Sequence, residues 1–176
     1  MLRIGHGFDF HRFQDPHDLA QGEILREYVY LGGIKIPHTC GIIAHSDGDI
    51  LIHALCDALL GAAALGDIGR HFPDTDSNFK NIDSKILLQS VLKLLNNNEP
   101  NRYSINNIDI TVISQSPKLA NYHHSISACL AKICNIQLNQ INIKATTTEG
   151  LDATGQGKAI AVHAVVLIHN GYPSKK

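Results

Sequence analysis

The sequence predicts an α+β domain: one mixed β-sheet with helices packed on one face. Three observations predict it. Three segments carry apolar residues three and four apart, the helical spacing, while shorter segments alternate or run continuously apolar. Their order along the chain is β, β, α, α, β, α, β, β, which places helices against one sheet. The last strand, AIAVHAVVLI, is apolar on both faces, so a sheet covered on one side would leave a greasy face wet. Another subunit is the simplest cover.

Taken in order, residues 3–11 read as a strand with two faces. Arg3, Gly5, Gly7, Asp9 and His11 share one, and Ile4, His6, Phe8 and Phe10 share the other. The second face is apolar and is expected to point to the core. Residues 14–27 are polar and read as a loop. Residues 28–36 are strand-like, with Gly32-Gly33 marking a bulge or bend. Ser46 is the expected N-cap of the helix ILIHALCDALLGAAAL, with Asp49 three residues on in a capping-box spacing and a stop near Gly66. A second helix spans 83–96, with Ile86, Leu87, Val91, Leu94 and Leu95 on its stripe. Residues 105–116 form a strand. Pro117 opens a third helix carrying Leu119, Tyr122, Ile126, Cys129, Leu130 and Ile133. Residues 141–148 and 158–169 are the last strands.

The chain has 176 residues, 44% of them hydrophobic, which suits a single domain over 1–176. Lys plus Arg is 15 against 16 Asp plus Glu, so binding to nucleic acid by phosphate neutralisation is not expected. No apolar run is long enough for a membrane span. The start, MLRIGHGFDFH, has no signal or transit pattern, and the protein is expected in the cytoplasm. Cys40, Cys56, Cys129 and Cys134 form no CxxC pair and are expected to be reduced. Eleven histidines, several near Asp, suggest metal or phosphate chemistry.

Asp9 and His11 leave the same strand face, beside Gly5 and Gly7, which would leave room for a ligand. His53 lies on the first helix and His45 just before it. One Asp and two His suit zinc with a fourth position open to substrate. Taken singly, a DxH on a strand is more often a surface pair, and a His in an Ala/Leu helix a satisfied core residue. His45 and Ser46 beside a helix N-terminus suit an anion, or plain capping. GDIGRHFPDTD sets Asp67, Asp74 and Asp76 among Gly66, Gly69 and Pro73, for sugar hydroxyls, a cation or a solvated turn. KATTTE ends a strand with three Thr and Glu149, a hard oxygen ligand of the kind magnesium prefers.

RIGHGFDFHRF, AHSDGDILIHALCDALLGAAALGDIG, FPDTD, ITVISQSPKL and IKATTTEGLDATGQGKAIA run through nearly the whole chain. In that order they closely resemble the 2-C-methyl-D-erythritol 2,4-cyclodiphosphate synthase family. The resemblance implies a lyase of the non-mevalonate isoprenoid precursor pathway. Such enzymes convert 4-diphosphocytidyl-2-C-methyl-D-erythritol 2-phosphate to the 2,4-cyclodiphosphate and CMP. It implies zinc on Asp9, His11 and His53, and magnesium or manganese on Glu149. His45 and Thr147 match positions that stabilise the transition state. The methylerythritol phosphate half would meet His45, Ser46, Asp67, Ile68 and Gly69, then Phe72, Pro73, Asp74, Thr75 and Asp76. The cytidine loop would be Ser114, Gln115, Ser116, Pro117, Lys118, Leu119 and Ala120, reading the base mostly through backbone groups. Thr146, Thr147, Thr148 and Glu149 follow, with Ala153 and Gln156 near the substrate. The family is a homotrimer with sites shared between neighbours.

Ala153, Gln156 and His163 stand where the family commonly has Phe, Arg and Glu near the three-fold axis, and the 14–27 loop is longer than usual. Without the Arg, weak or absent binding of isoprenoid diphosphates at the axis is expected. The nucleophile of the implied reaction is a phosphate monoester with a second pKa of about 6, so no strong base is needed. CMP is a good leaving group. Cations and positioning carry the reaction. Two other readings use the same residues: a metal-dependent phosphohydrolase, or a non-catalytic trimer holding zinc and a cytidine nucleotide.

Overall fold

The computed structural model describes residues 1–17, 19, 24–44, 46–73, 82–98 and 102–170. A four-stranded mixed sheet runs in the order β1-β6-β4-β5. β1 (Leu2–Arg12) pairs antiparallel with β6 (Ala159–Asn170) along its whole length, from Leu2 opposite His169 to Arg12 opposite Ala159. β6 pairs antiparallel with β4 (Tyr103–Ile113), with a register shift between Ile105 and Asn107. β4 and β5 (Ile141–Thr146) are parallel, joined by the crossover that contains α4 (His123–Cys134). The doubly apolar strand β6 is thus an inner strand of the sheet.

Helix α1 (Ile50–Ala63) lies across β1 and β6 and is buried on nearly every side. Only His53, Asp57 and Gly61 escape full burial, and their four-residue spacing makes one polar stripe. The helix comes so close to β1 because of the strand's glycines. A Cβ on Gly5 would sit 1.9 Å from the Ala58 carbonyl oxygen, and one on Gly7 1.9 Å from that of Ala54. This reverses two expectations. The face carrying Gly5, Gly7, Asp9 and His11 is the one that meets the helix, and the room beside the glycines is filled by α1. The apolar face is open, with Ile4 73%, Phe8 50% and Phe10 47% exposed.

The N-cap of α1 is Asp49, not Ser46. Asp49 is completely buried, and one oxygen accepts from Ile52 N at 3.1 Å and Gly32 N at 2.8 Å. Its other oxygen accepts from Gly33 N at 2.6 Å. Burial pushes its carboxyl up to about 6 against the pull of those three donors. Gly32 and Gly33 are not a bulge. They form the two-residue turn of a hairpin between β2 (Tyr28–Leu31) and β3 (Ile34–Pro37), with φ of +60° and +80°.

After the short α2 (Ile68–His71), α3 (Ser84–Asn97) is capped by Asp83 and buries Leu87, Leu88, Val91 and Leu95, while Ile86 points outward. α4 begins at His123 rather than Pro117, and the Ser116–Pro117 peptide is cis within a loop. A 3-10 turn, Leu138–Gln140, leads into β5, and α5 (Asp152–Gly155) precedes β6. Among the described residues no helix is long and apolar enough to cross a membrane. The pairing directions bring the C-terminal ends of β1, β4 and β5 to one end of the sheet.

Candidate active site

At that end β1 and α1 converge on a ligand set. Asp9 Oδ2 lies 3.2 Å from His53 Nδ1 and 3.3 Å from His11 Nε2. All three ligand atoms fall within 4.8 Å of one another. Two of these separations match the edge of about 3.3 Å expected for ligands tetrahedrally placed around zinc. His11 Nε2 is buried without a hydrogen bond, which a metal would relieve. The donor set, one carboxylate oxygen and two imidazole nitrogens, fits a divalent cation.

The remaining nitrogen of His53 is also committed. Its Nε2 lies 3.0 Å from Ser84 Oγ and 3.2 Å from Ser46 Oγ. Ser84 Oγ donates to Asp47 Oδ1, and Ser84 N donates to Asp47 Oδ2 at 3.0 Å. This arrangement leaves Nδ1 as the metal-facing atom. Sequence reasoning missed Ser84 and Asp47. Ser84 is the first residue after a cap and reads as ordinary helix start, and only its burial (0% exposed) marks it. Asp57, one turn after His53, accepts from Ile68 N at 2.7 Å and pins α2.

Burial alone would raise the Asp9 carboxyl, but the His53 hydrogen bond and two imidazoles bring it below its ordinary value. Burial would lower His53, and Asp9 more than reverses that, so His53 is raised. His11 goes the other way, because burial outweighs the attraction of Asp9. Asp9 and His53 thus each favour the other's charged form, and a metal on the same atoms would take the place of that pairing.

Of the residues expected around the methylerythritol phosphate, Ser46 stands beside His53. Asp67 caps α2, accepting from Arg70 N at 2.9 Å, with Ile68 and Gly69 in the first turn. Phe72 and Pro73 follow, half-buried and exposed. His45, Asp74, Thr75 and Asp76 lie outside the described residues. The surface also carries an open cleft of about 740 Å³ lined by Gln14, residues 24–28 and Ile42 to Ala44; Asp9, His11 and His53 do not line it.

The second group of expected residues gathers at the ends of β4 and β5. Ser114 N donates to Thr146 O at 3.1 Å, joining the 114–120 loop to the TTTE segment. Gln115, Lys118 and Ala120 are exposed, Ser116 and Pro117 half-buried, and Leu119 anchors the loop in the core. Thr147 Oγ1 donates to Glu149 Oε1 at 2.8 Å, and Glu149 itself is exposed with φ +53°. Thr148 Oγ1 donates to Leu151 O at 2.6 Å, and the Asp152 carboxylate accepts from Thr154 N at 2.7 Å, which knits the following turn. Ala153 lies in α5 and Gln156 caps it, exposed. His163 is on the open face of β6, with its Nδ1 3.0 Å from His6 Nε2 and its ring 4.7 Å from that of Phe8.

β1 and β5 are the two outer strands, so the ligand set and Glu149 stand about three strand spacings apart, roughly 14 Å. The fold and the ligand set define a class: an α+β enzyme domain with a side-chain triad that fits a divalent metal between an edge strand and its covering helix. The YgbB family model matches residues 2–169, and the chain belongs to that family. It is 52% identical over 168 residues to the 2-C-methyl-D-erythritol 2,4-cyclodiphosphate synthase of Francisella philomiragia subsp. philomiragia, covering 96% of this chain and 98% of that one. The Azotobacter vinelandii synthase is 50% identical over 167 residues, 95% of this chain and 98% of its own. Among solved structures, the CDP complex of IspF from Plasmodium falciparum superposes with a TM-score of 0.78 at 34% identity, covering 96% of both chains. The bifunctional IspDF of Campylobacter jejuni gives 0.85 at 38% identity; this chain, 97% covered, spans 43% of its length.

Proposed function

We propose that the chain is a phosphorus–oxygen lyase of the isoprenoid precursor pathway. It converts 4-diphosphocytidyl-2-C-methyl-D-erythritol 2-phosphate to 2-C-methyl-D-erythritol 2,4-cyclodiphosphate and CMP. The observation that carries the reading is the Asp9, His11 and His53 set, held as an open three-ligand site in a chain half identical to curated synthases over nearly its whole length. Residues 1–176 act as one catalytic domain, in the cytoplasm.

Asp9, His11 and His53 hold zinc, and Glu149 holds magnesium or manganese. When bound, these ions supply charge neutralisation for the diphosphate and leave the transferring phosphorus open to attack. The substrate's own 2-phosphate oxygen forms the new bond to the β-phosphorus, the bond to the CMP oxygen breaks, and CMP leaves as the anion. Ser84 and Ser46 hold His53 in the ligating orientation. Thr147 and His45 aim donors at the developing charge. Ser114 to Ala120 hold the cytidine, consistent with the CDP found on the Plasmodium falciparum relative.

The working unit is a homotrimer with each site shared between neighbours. Two features support this. The face of β1 with Ile4, Phe8 and Phe10 is apolar and open. The ligand set and Glu149 belong to opposite edge strands, β1 and β5, whose axes are roughly 14 Å apart, which favours a site that joins the two halves across an interface. Product analysis tests the function. CMP and the cyclic diphosphate are expected; hydrolysed, uncyclised products would support a phosphohydrolase, and binding without turnover a cytidine-nucleotide binding trimer.

A further inference from the structure

The 114–120 loop is held at its start by Ser114 N on Thr146 O and at its end by the buried Leu119. Its middle is held by a residue from elsewhere in the chain. His38, just beyond β3, places Nε2 2.5 Å from Ser116 Oγ. His38 is itself fixed by three contacts, two to its ring and one to its main chain. Its ring stacks on Phe13 with centroids 4.6 Å apart and a 29° interplanar angle. Its backbone N–H donates to Glu27 O at 3.1 Å. Its Nδ1 lies 2.6 Å from Cys40 O, an atom that only accepts, so Nδ1 carries the proton. The Cys40 N–H also approaches Nδ1, at 3.3 Å, and the shorter contact decides the tautomer. Nε2 is then the acceptor, and the Ser116 hydroxyl donates to it. The Ser116 carbonyl accepts from Ser114 Oγ. Both the hydroxyl and the carbonyl of Ser116 are therefore engaged from within the protein.

We propose that His38 is a positioning residue for the nucleotide: by tethering Ser116 it holds the main chain of the 114–120 loop in the conformation that receives the cytosine base. This rests on the reading of that loop as the cytidine site. A base recognised by main-chain groups gains affinity when those groups are fixed beforehand, because no ordering cost falls on the binding step. His38 touches neither the phosphates nor the metal ligands, so its loss falls on nucleotide affinity and not on the chemical step.

The test is CDP titration and steady-state kinetics on the zinc- and magnesium-loaded protein. His38→Phe keeps a ring on Phe13 and removes both nitrogen contacts. It is expected to weaken CDP binding and raise KM by about tenfold, with kcat within about twofold of the parent. Ser116→Ala should give the same loss, and the double variant no more than either alone. The side-chain amide of Gln reaches where Nε2 was, where its Oε1 can accept from the Ser116 hydroxyl, and that of Asn reaches only where Nδ1 was, so His38→Gln should recover most of the affinity and His38→Asn little. CDP affinity unchanged in both His38→Phe and Ser116→Ala, equal behaviour of the Gln and Asn variants, or a loss confined to kcat would overturn the proposal. A parent protein that turned over substrate but bound no CDP would instead overturn the cytidine assignment of the loop.

Discussion

The metal set and the β4–β5 end share one end of the sheet, yet they are built differently. Asp9, His11 and His53 are side chains on regular structure, 14 to 23% exposed, and a single copy brings all three together. Ser114 to Ala120 and Thr147 to Glu149 are loop residues, some exposed and some buried, whose order comes from main-chain bonds and short hydroxyl contacts. The first group is brought together by β1 and α1; the second stands toward the opposite edge of the sheet, at the ends of β4 and β5. The difference teaches that the charge-bearing half of a site can be folded into a scaffold, while the half proposed to hold the nucleotide is carried on loops.

The largest expected effects separate the halves. His53→Ala should abolish both metal binding and turnover, and Glu149→Gln should cost turnover by about a hundredfold or more while elemental analysis still finds zinc on the triad. Loss of zinc in Glu149→Gln would mean that the halves are not separate. Mixing the two inactive variants, unfolding them together and refolding sharpens the point. If each site takes its ligand set from one copy and its Glu149 from the next, random assortment rebuilds about one site in four, and about a quarter of parental activity returns. No recovery would place both halves in one copy.

A smaller effect is expected from Ser84→Ala. It leaves every ligand in place but frees His53 Nε2, and metal affinity measured by competition with a chelator should fall by about tenfold. The smallest concerns the metal-free fold. Asp9 is held below 3.8 and adds stability above that value, lost as pH falls through its lowered value. His53 is raised above 6.5, and its contribution is full below 6.5 and lost as pH rises through its raised value. Buried His11 is lowered, so it subtracts only as pH falls below 6.5. Asp49, raised to about 6, subtracts as pH climbs from 3.8 to about 6 and changes little beyond. Above 6.5 the His53 loss stands apart from these, so the urea midpoint of metal-free protein should decline there, and His53→Ala should flatten the decline.

Much of this was legible in the sequence. The ligand triad followed from a two-residue spacing on a strand and an outlying His in an apolar helix, both of which fix side-chain direction. The face of β1 was misjudged because Ile4, Phe8 and Phe10 look like core, and nothing local says that a glycine-lined face can admit a helix backbone more closely. The cap was assigned to Ser46 because the signal DGD follows it, whereas the buried Asp49 does the capping and also clamps a turn seventeen residues away. Pro117 looked like a helix start but belongs to a loop, so α4 begins six residues later. Ser84 and His38 carry no motif at all: their importance lies in partners 31 and 78 residues distant.

The glycines of β1 have a consequence for anyone who would move this site into another protein. The distance between the strand that supplies two ligands and the helix that supplies the third is set by what Gly5 and Gly7 lack, since a single added carbon on either would collide with α1 at 1.9 Å. A graft that copied Asp9, His11 and His53 onto a new strand–helix pair with ordinary side chains between them would hold the helix farther off, and the ligand atoms would no longer close on one ion. The transferable unit is therefore five residues on two elements, and two of the five carry no chemistry.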